Sequence, residues 1–143
     1  MTPCVTCVCS QIGLCTYDST VHFYNIKSSL SQPQMMVVPD LKELFLPSPE
    51  DLLVNLSESR SVVETLLDNL AEMHGSTRDV DSCLGAALTA AGQVMGHVGG
   101  KMVVMAASLP SVGDARLKHR ENPRVLGTDR EHLLLKAEEP WYQ

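Results

Sequence analysis

Lys101-Met-Val-Val-Met-Ala-Ala107 is apolar from its second residue to its last, with no alternation of polar and apolar positions. A strand with one face in water alternates; a strand covered on both faces does not, and parallel sheets beneath helices are where such strands occur. The residues before it fit that reading. Val80, Leu84, Ala87, Leu88, Ala91, Val94, Met95 and Val98 recur at helical spacing, with Asp79 or Asp81 in an N-cap position. Gly99-Gly100 then ends the helix. Helix, Gly-Gly turn and buried strand make half of a βαβ unit and predict an α/β, Rossmann-like layer fold. Small residues (Gly85, Ala86, Ala87, Ala90, Ala91, Gly92) keep the middle of the helix thin, so another element can approach its backbone closely.

Upstream, Val62, Val63, Leu66, Leu67, Leu70 and Met73 mark a second amphipathic helix. Ser61-Val-Val-Glu64 resembles a capping box near its start, and Gly75 stands where a helix stops. Still earlier, Ile12–Tyr17 and Thr20–Ile26 are β-rich runs joined by Asp18-Ser19, which reads as a hairpin. In the second run Val21 and Phe23 fall on one face and His22 and Tyr24 on the other, the pattern of a half-exposed edge strand. His22 then reads as a surface residue. Met35–Val38 suits a short strand closed by Pro39, and Leu41, Leu44 and Phe45 suit one or two helical turns between prolines. Downstream of Leu109-Pro110 a charged loop runs to about Gly127, and Thr128-Asp-Arg-Glu131 opens a short helix ended by Pro140.

A buried parallel strand needs a parallel neighbour on either side, each delivered by its own crossover. Strand plus crossover helix takes roughly 30 residues, more than lie upstream of Gly13, and nothing follows Gln143. The expectation is an incomplete layer fold, its central first strand missing. Residues 1–11 form a divergent N-terminal segment and residues 12–143 the partial domain.

With 143 residues the chain has the length of one domain, 44% hydrophobic and 20% charged, but only 4% aromatic. Its net charge of −6 is carried by residues 1–58, at −4, and 59–109, at −2, while the remainder is neutral. Nucleic-acid binding, which needs a basic surface to displace counterions, is therefore not expected. No run approaches the roughly 20 apolar residues of a membrane span. No basic segment followed by an apolar run marks a secretory signal. The five cysteines (Cys4, Cys7, Cys9, Cys15 and Cys83) are an odd set without a signal peptide and are expected as thiols. Cys4-Val-Thr-Cys7 is a lone CxxC with no second ligand pair, so neither zinc nor any other cofactor is expected.

Five blocks carry a resemblance to a known family. They are Ile12-Gly-Leu-Cys-Thr-Tyr-Asp-Ser-Thr-Val-His-Phe-Tyr-Asn25, Ser31-Gln-Pro-Gln-Met-Met-Val-Val38, Asp51-Leu-Leu-Val-Asn-Leu-Ser-Glu-Ser-Arg60, Gly99-Gly-Lys101 and Leu109-Pro110. Together they resemble the trunk domain of the cargo-adaptor subunit of the COPII vesicle coat, over residues 12–143. The resemblance implies a von Willebrand factor A-like fold and a COPII coat component acting in endoplasmic-reticulum-to-Golgi transport and cargo selection. It implies a cytoplasmic protein, peripheral on the endoplasmic reticulum membrane and COPII vesicles. Implied partners are the sister subunit of the inner coat, membrane cargo proteins and a peripheral membrane contact. The family's zinc module has two CxxC pairs further upstream, and Cys4 and Cys7 do not match it. The Asp-x-Ser-x-Ser loop of a metal-binding A domain is absent too; Asp18-Ser19-Thr20 sits at a hairpin turn. The other readings are a free-standing A-domain-like binding module, or an inactive paralogue outside the coat. A redox or metal protein using Cys4, Cys7 and Cys9 is a third.

No nucleophile elbow, P-loop or HExxH motif occurs, and an enzyme is not expected. Glu138-Glu139 reads as a solvated helix end. Two surfaces are candidates for partners. The edge strand Thr20–Ile26, with Val21, Phe23 and Tyr24, offers unpaired backbone. The loop Pro110–Arg124 follows the end of the buried strand, where α/β folds place ligand contacts, and offers Arg116, Lys118 and Arg120 to acidic motifs or anionic lipid.

Overall fold

The computed structural model describes residues 10–118, 122–136 and 140–142. The predicted hairpin is there. Cys15–Tyr17 (β2) and Val21–Asn25 (β3) run antiparallel, with Cys15 opposite Phe23 and Tyr17 opposite Val21. Asp18 closes the turn by accepting from the Thr20 amide at 2.8 Å and its hydroxyl at 3.0 Å. Gln34–Val38 (β4) adds to the other side of β3, Val38 opposite Val21 and Met36 opposite Phe23. A separate two-stranded pairing joins Gln11–Ile12 (β1) to Val54–Asn55 (β5). Gly13, between β1 and β2, permits a close crossing, because a Cβ there would stand 2.7 Å from the Leu52 carbonyl oxygen.

β3 is thus the middle strand of its sheet, not an edge. Val21, Phe23 and Tyr24 are buried, and so is His22. The alternation was read correctly for faces and wrongly for exposure, because each face carries a helix. Val21, Phe23 and Val38 pack with Cys83, Ala86, Ala87 and Ala90, while Tyr24 and Ile26 pack with Val54, Val62, Val63 and Leu66.

Val62, Val63 and Leu66 belong to α1, Leu56–Gly75. It starts five residues before the expected Ser61 box. Its cap is Asn55, whose side-chain oxygen accepts from the Ser57 amide at 3.0 Å while its amide donates to Glu58 at 3.2 Å. α2 runs from Leu84 to Met95, shorter than its apolar pattern. Asp79 and Asp81 do not cap it; they tie loops together instead, Asp79 accepting from Ser19 and the Asp81 amide, Asp81 from Ser111 at 2.8 Å. The thin face of α2 is used as expected. A Cβ on Gly85 would lie 2.2 Å from the Asp114 carbonyl oxygen, so the loop at 111–115 rests directly on the helix backbone.

Two further expectations are corrected. Residues 41–45 form no helix: 41–43 bend, because Asp40 takes the Lys42 and Glu43 amides into an Asx turn at 2.9 and 3.1 Å. Residues 101–107 do not form a strand. They are exposed along their whole length, Val103 at 80% and Met105 at 87%. Among the described residues, none of residues 101–109 makes a backbone hydrogen bond. The apolar composition anticipated burial between neighbouring strands, and here no neighbour pairs with the segment. The C-terminal helix is a single 3-10 turn, Glu131–Leu135, with Gly127 donating to the Glu131 carboxylate at 3.0 Å.

Candidate protein-docking site

One cavity lies between the crossing from β1 to β2, α2 and the unpaired ribbon that follows α2. One wall is Gln11, Ile12, Gly13 and Leu14, the stretch that leads into β2. On the opposite bank lies the apolar ribbon at 99–103. Ala91, Val94, Met95 and Val98 of α2 line the space beneath, and Phe23, Leu52 and Leu53 complete it. The cavity measures about 230 Å³, below the roughly 300–1,000 Å³ usual for small-molecule sites. Its walls are mostly hydrocarbon and carry no cluster of titratable groups. The chemistry available is therefore burial of apolar side chains plus main-chain pairing, which suits an extended polypeptide strand. An exposed run such as Met102-Val-Val-Met105 gains about 1.5–3 kcal/mol per side chain once fully covered.

The sequence-derived candidates separate. Val21, Phe23 and Tyr24 sit in the core, and of the three Phe23 alone lines the cavity. Arg116 and Lys118 are exposed; Arg120 lies outside the described residues, as do Cys4, Cys7, Cys9 and Glu138-Glu139. The cavity itself was not foreseen. Its signal was present in the ribbon at 101–107, which was read as a buried strand with a missing neighbour.

Elsewhere the titratable groups are structural. Burial, with the Cys83 thiol nearby, pushes Cys15 up to about 12, and burial pushes Cys83 up to about 11. Neither is a nucleophile at neutral pH. Among the described residues no three His, Cys, Asp or Glu side chains gather as metal ligands, and no helix is long and apolar enough to cross a membrane.

A family model described as the Sec23/Sec24 trunk domain matches residues 8–143. The chain is 58% identical over 135 residues to protein transport protein SEC24 A of Arabidopsis thaliana, covering 94% of this chain and 13% of that protein. Human protein transport protein Sec24A is 48% identical over 114 residues, covering 80% of this chain and 10% of the relative. The crystal structure of the human COPII-coat protein Sec24c superposes with a TM-score of 0.80 at 34% identity, covering 93% of this chain and 18% of that one. The chain thus spans about an eighth of the plant relative's length.

Proposed function

This chain belongs to the Sec23/Sec24 trunk domain family, and from that premise we propose that it is a non-catalytic scaffold segment of the COPII coat in endoplasmic-reticulum-to-Golgi transport. It acts through protein–protein contacts, as the transport role in its relatives' names suggests. The sister subunit of the inner coat is its first partner and membrane cargo its second. It resides in the cytoplasm, peripheral on the endoplasmic reticulum membrane and COPII vesicles. Arg116 and Lys118, together with Arg120 two residues further along the sequence, meet acidic cargo motifs or anionic lipid. No cofactor takes part.

One observation carries the reading: the apolar slot lined by Gln11–Leu14, α2 and the start of the exposed, unpaired ribbon at 101–107. An extended strand that paired with the ribbon and with the free edge of β2 would join them into one sheet. The layering would then be von Willebrand factor A-like, with the added strand at its centre and α1 and α2 on opposite faces. A scaffold completed by further polypeptide fits an assembly role better than a turnover role.

The test is affinity purification of the tagged chain from cells that also express the sister coat subunit. Stoichiometric recovery of that subunit is expected. A clean monomer that ignores it would overturn the coat role and favour a free-standing binding module.

A further inference from the structure

Six polar side chains run in an unbroken line from α1 into the hairpin. His74 Nε2 lies 3.1 Å from the Tyr24 hydroxyl, and that hydroxyl lies 2.8 Å from Thr16 Oγ1. Thr16 Oγ1 is 3.1 Å from His22 Nδ1, and His22 Nε2 is 2.9 Å from Thr20 Oγ1. Thr20 Oγ1 ends the line on Asp18 Oδ1 at 3.0 Å. The two imidazoles stand 5.6 Å apart, centroid to centroid. His22 is 6% exposed and Tyr24 1%, while His74 is half-buried and reaches solvent.

The Asp18 carboxylate accepts, so every hydrogen in the line is assigned from that end. Thr20 donates to Asp18, which leaves its oxygen to accept from His22 Nε2–H. Neutral His22 then has a bare Nδ1, which accepts from the Thr16 hydroxyl. Thr16 oxygen accepts from Tyr24, and Tyr24 oxygen from His74 Nε2–H. Each hydrogen is used once.

One added proton fits without breaking this line. Placed on His74 Nδ1, it leaves Nε2–H donating as before. It can also be relayed: His74 Nε2–H passes to Tyr24, Tyr24 to Thr16 and Thr16 to His22 Nδ1, which moves the charge to His22 and leaves His74 neutral. A second proton does not fit. With both rings charged, His74 donates to Tyr24 and His22 donates to Thr16, and the Thr16 hydroxyl hydrogen has no acceptor left. Two like charges also face each other across 5.6 Å.

We propose that this line is a pH-sensitive latch that carries one shared proton while closed and opens on the second, freeing the last turn of α1 from the sheet. The ionisable groups facing His22 are Asp18 in the hairpin turn, Asp79 in the loop after α1, and His74 on α1. Tyr24 on β3 faces the line at its middle. Burial outweighs the two carboxylates and keeps His22 below the ordinary imidazole range, so the second proton is the costly one.

The test is long-range proton–nitrogen NMR of the imidazoles of the full 143-residue chain, followed from pH 8 to pH 5. At pH 8 His22 is expected as the Nε2–H tautomer with a bare Nδ1. On acidification the two rings should titrate as a coupled pair in two separated steps. Amides of the last turn of α1 should exchange about tenfold faster, after correction for intrinsic rates, once the second step is passed. Thr16→Val, which keeps the shape and removes the relay, should narrow the gap between the two steps to what through-space repulsion of the rings alone produces. His22 carrying its proton on Nδ1 at pH 8, or wild-type rings that titrate independently, overturns the latch. The wild-type spectra decide this even if Thr16→Val fails to fold.

Discussion

At the residue scale, His22 ties stability to pH in a fixed direction. Its folded pKa is lowered by burial, so the unfolded chain binds the proton more readily. The sign follows: stability is full above the unfolded value of about 6.5 and falls as pH drops below it, by at most about 1.4 kcal/mol per pH unit, until the folded value is passed. Urea midpoints at pH 7.5 and 5.5 should differ in that sense, and His22→Gln should flatten the difference. Gly85 is as restrictive for sterics as His22 is for charge. Gly85→Ala drives a methyl into the Asp114 carbonyl and is expected to cost about 1–3 kcal/mol in a denaturation curve, with the loop at 111–115 displaced. The Cys15 and Cys83 thiols, held protonated by burial, should resist iodoacetamide at pH 7.5 and react on unfolding.

At the element scale, the hairpin and the helices were legible because short-range rules decide them. Asp18-Ser19 between β-rich runs marks a turn whatever surrounds it, and the Val62–Met73 stripe marks α1. The α1 start was misread because Ser61 satisfies the capping pattern on paper, while Asn55, the last residue of the short β5, caps in fact. Asn55→Ala should therefore lower stability by about 1 kcal/mol, and Ser61→Ala should leave it nearly unchanged; helical circular dichroism during denaturation separates them. The exposure of β3 was not legible. Alternation of Val21 and Phe23 against His22 and Tyr24 reports two chemically different faces. A polar latch under a helix gives the same pattern as a face in water.

At the scale of the whole molecule, the ribbon at 101–107 is where local composition and long-range context part. Its apolar run states what environment suits it, but pairing depends on strands that sequence-local rules do not supply. For the same reason the slot was not legible, although both of its banks were. Because Val103 and Met105 are 80% and 87% exposed, the double substitution Val103→Ser, Met105→Ser should change the stability of this chain by no more than about 0.5 kcal/mol. A residue buried in a finished sheet would cost several times that. The most direct measurement is amide hydrogen exchange of the purified 143-residue chain, read by mass spectrometry at 101–107 beside 62–66 of α1. The slot predicts exchange near the unstructured rate in the ribbon, with strong protection in the helix. Equal protection in both would mean that the ribbon is already paired and that no strand remains to be received.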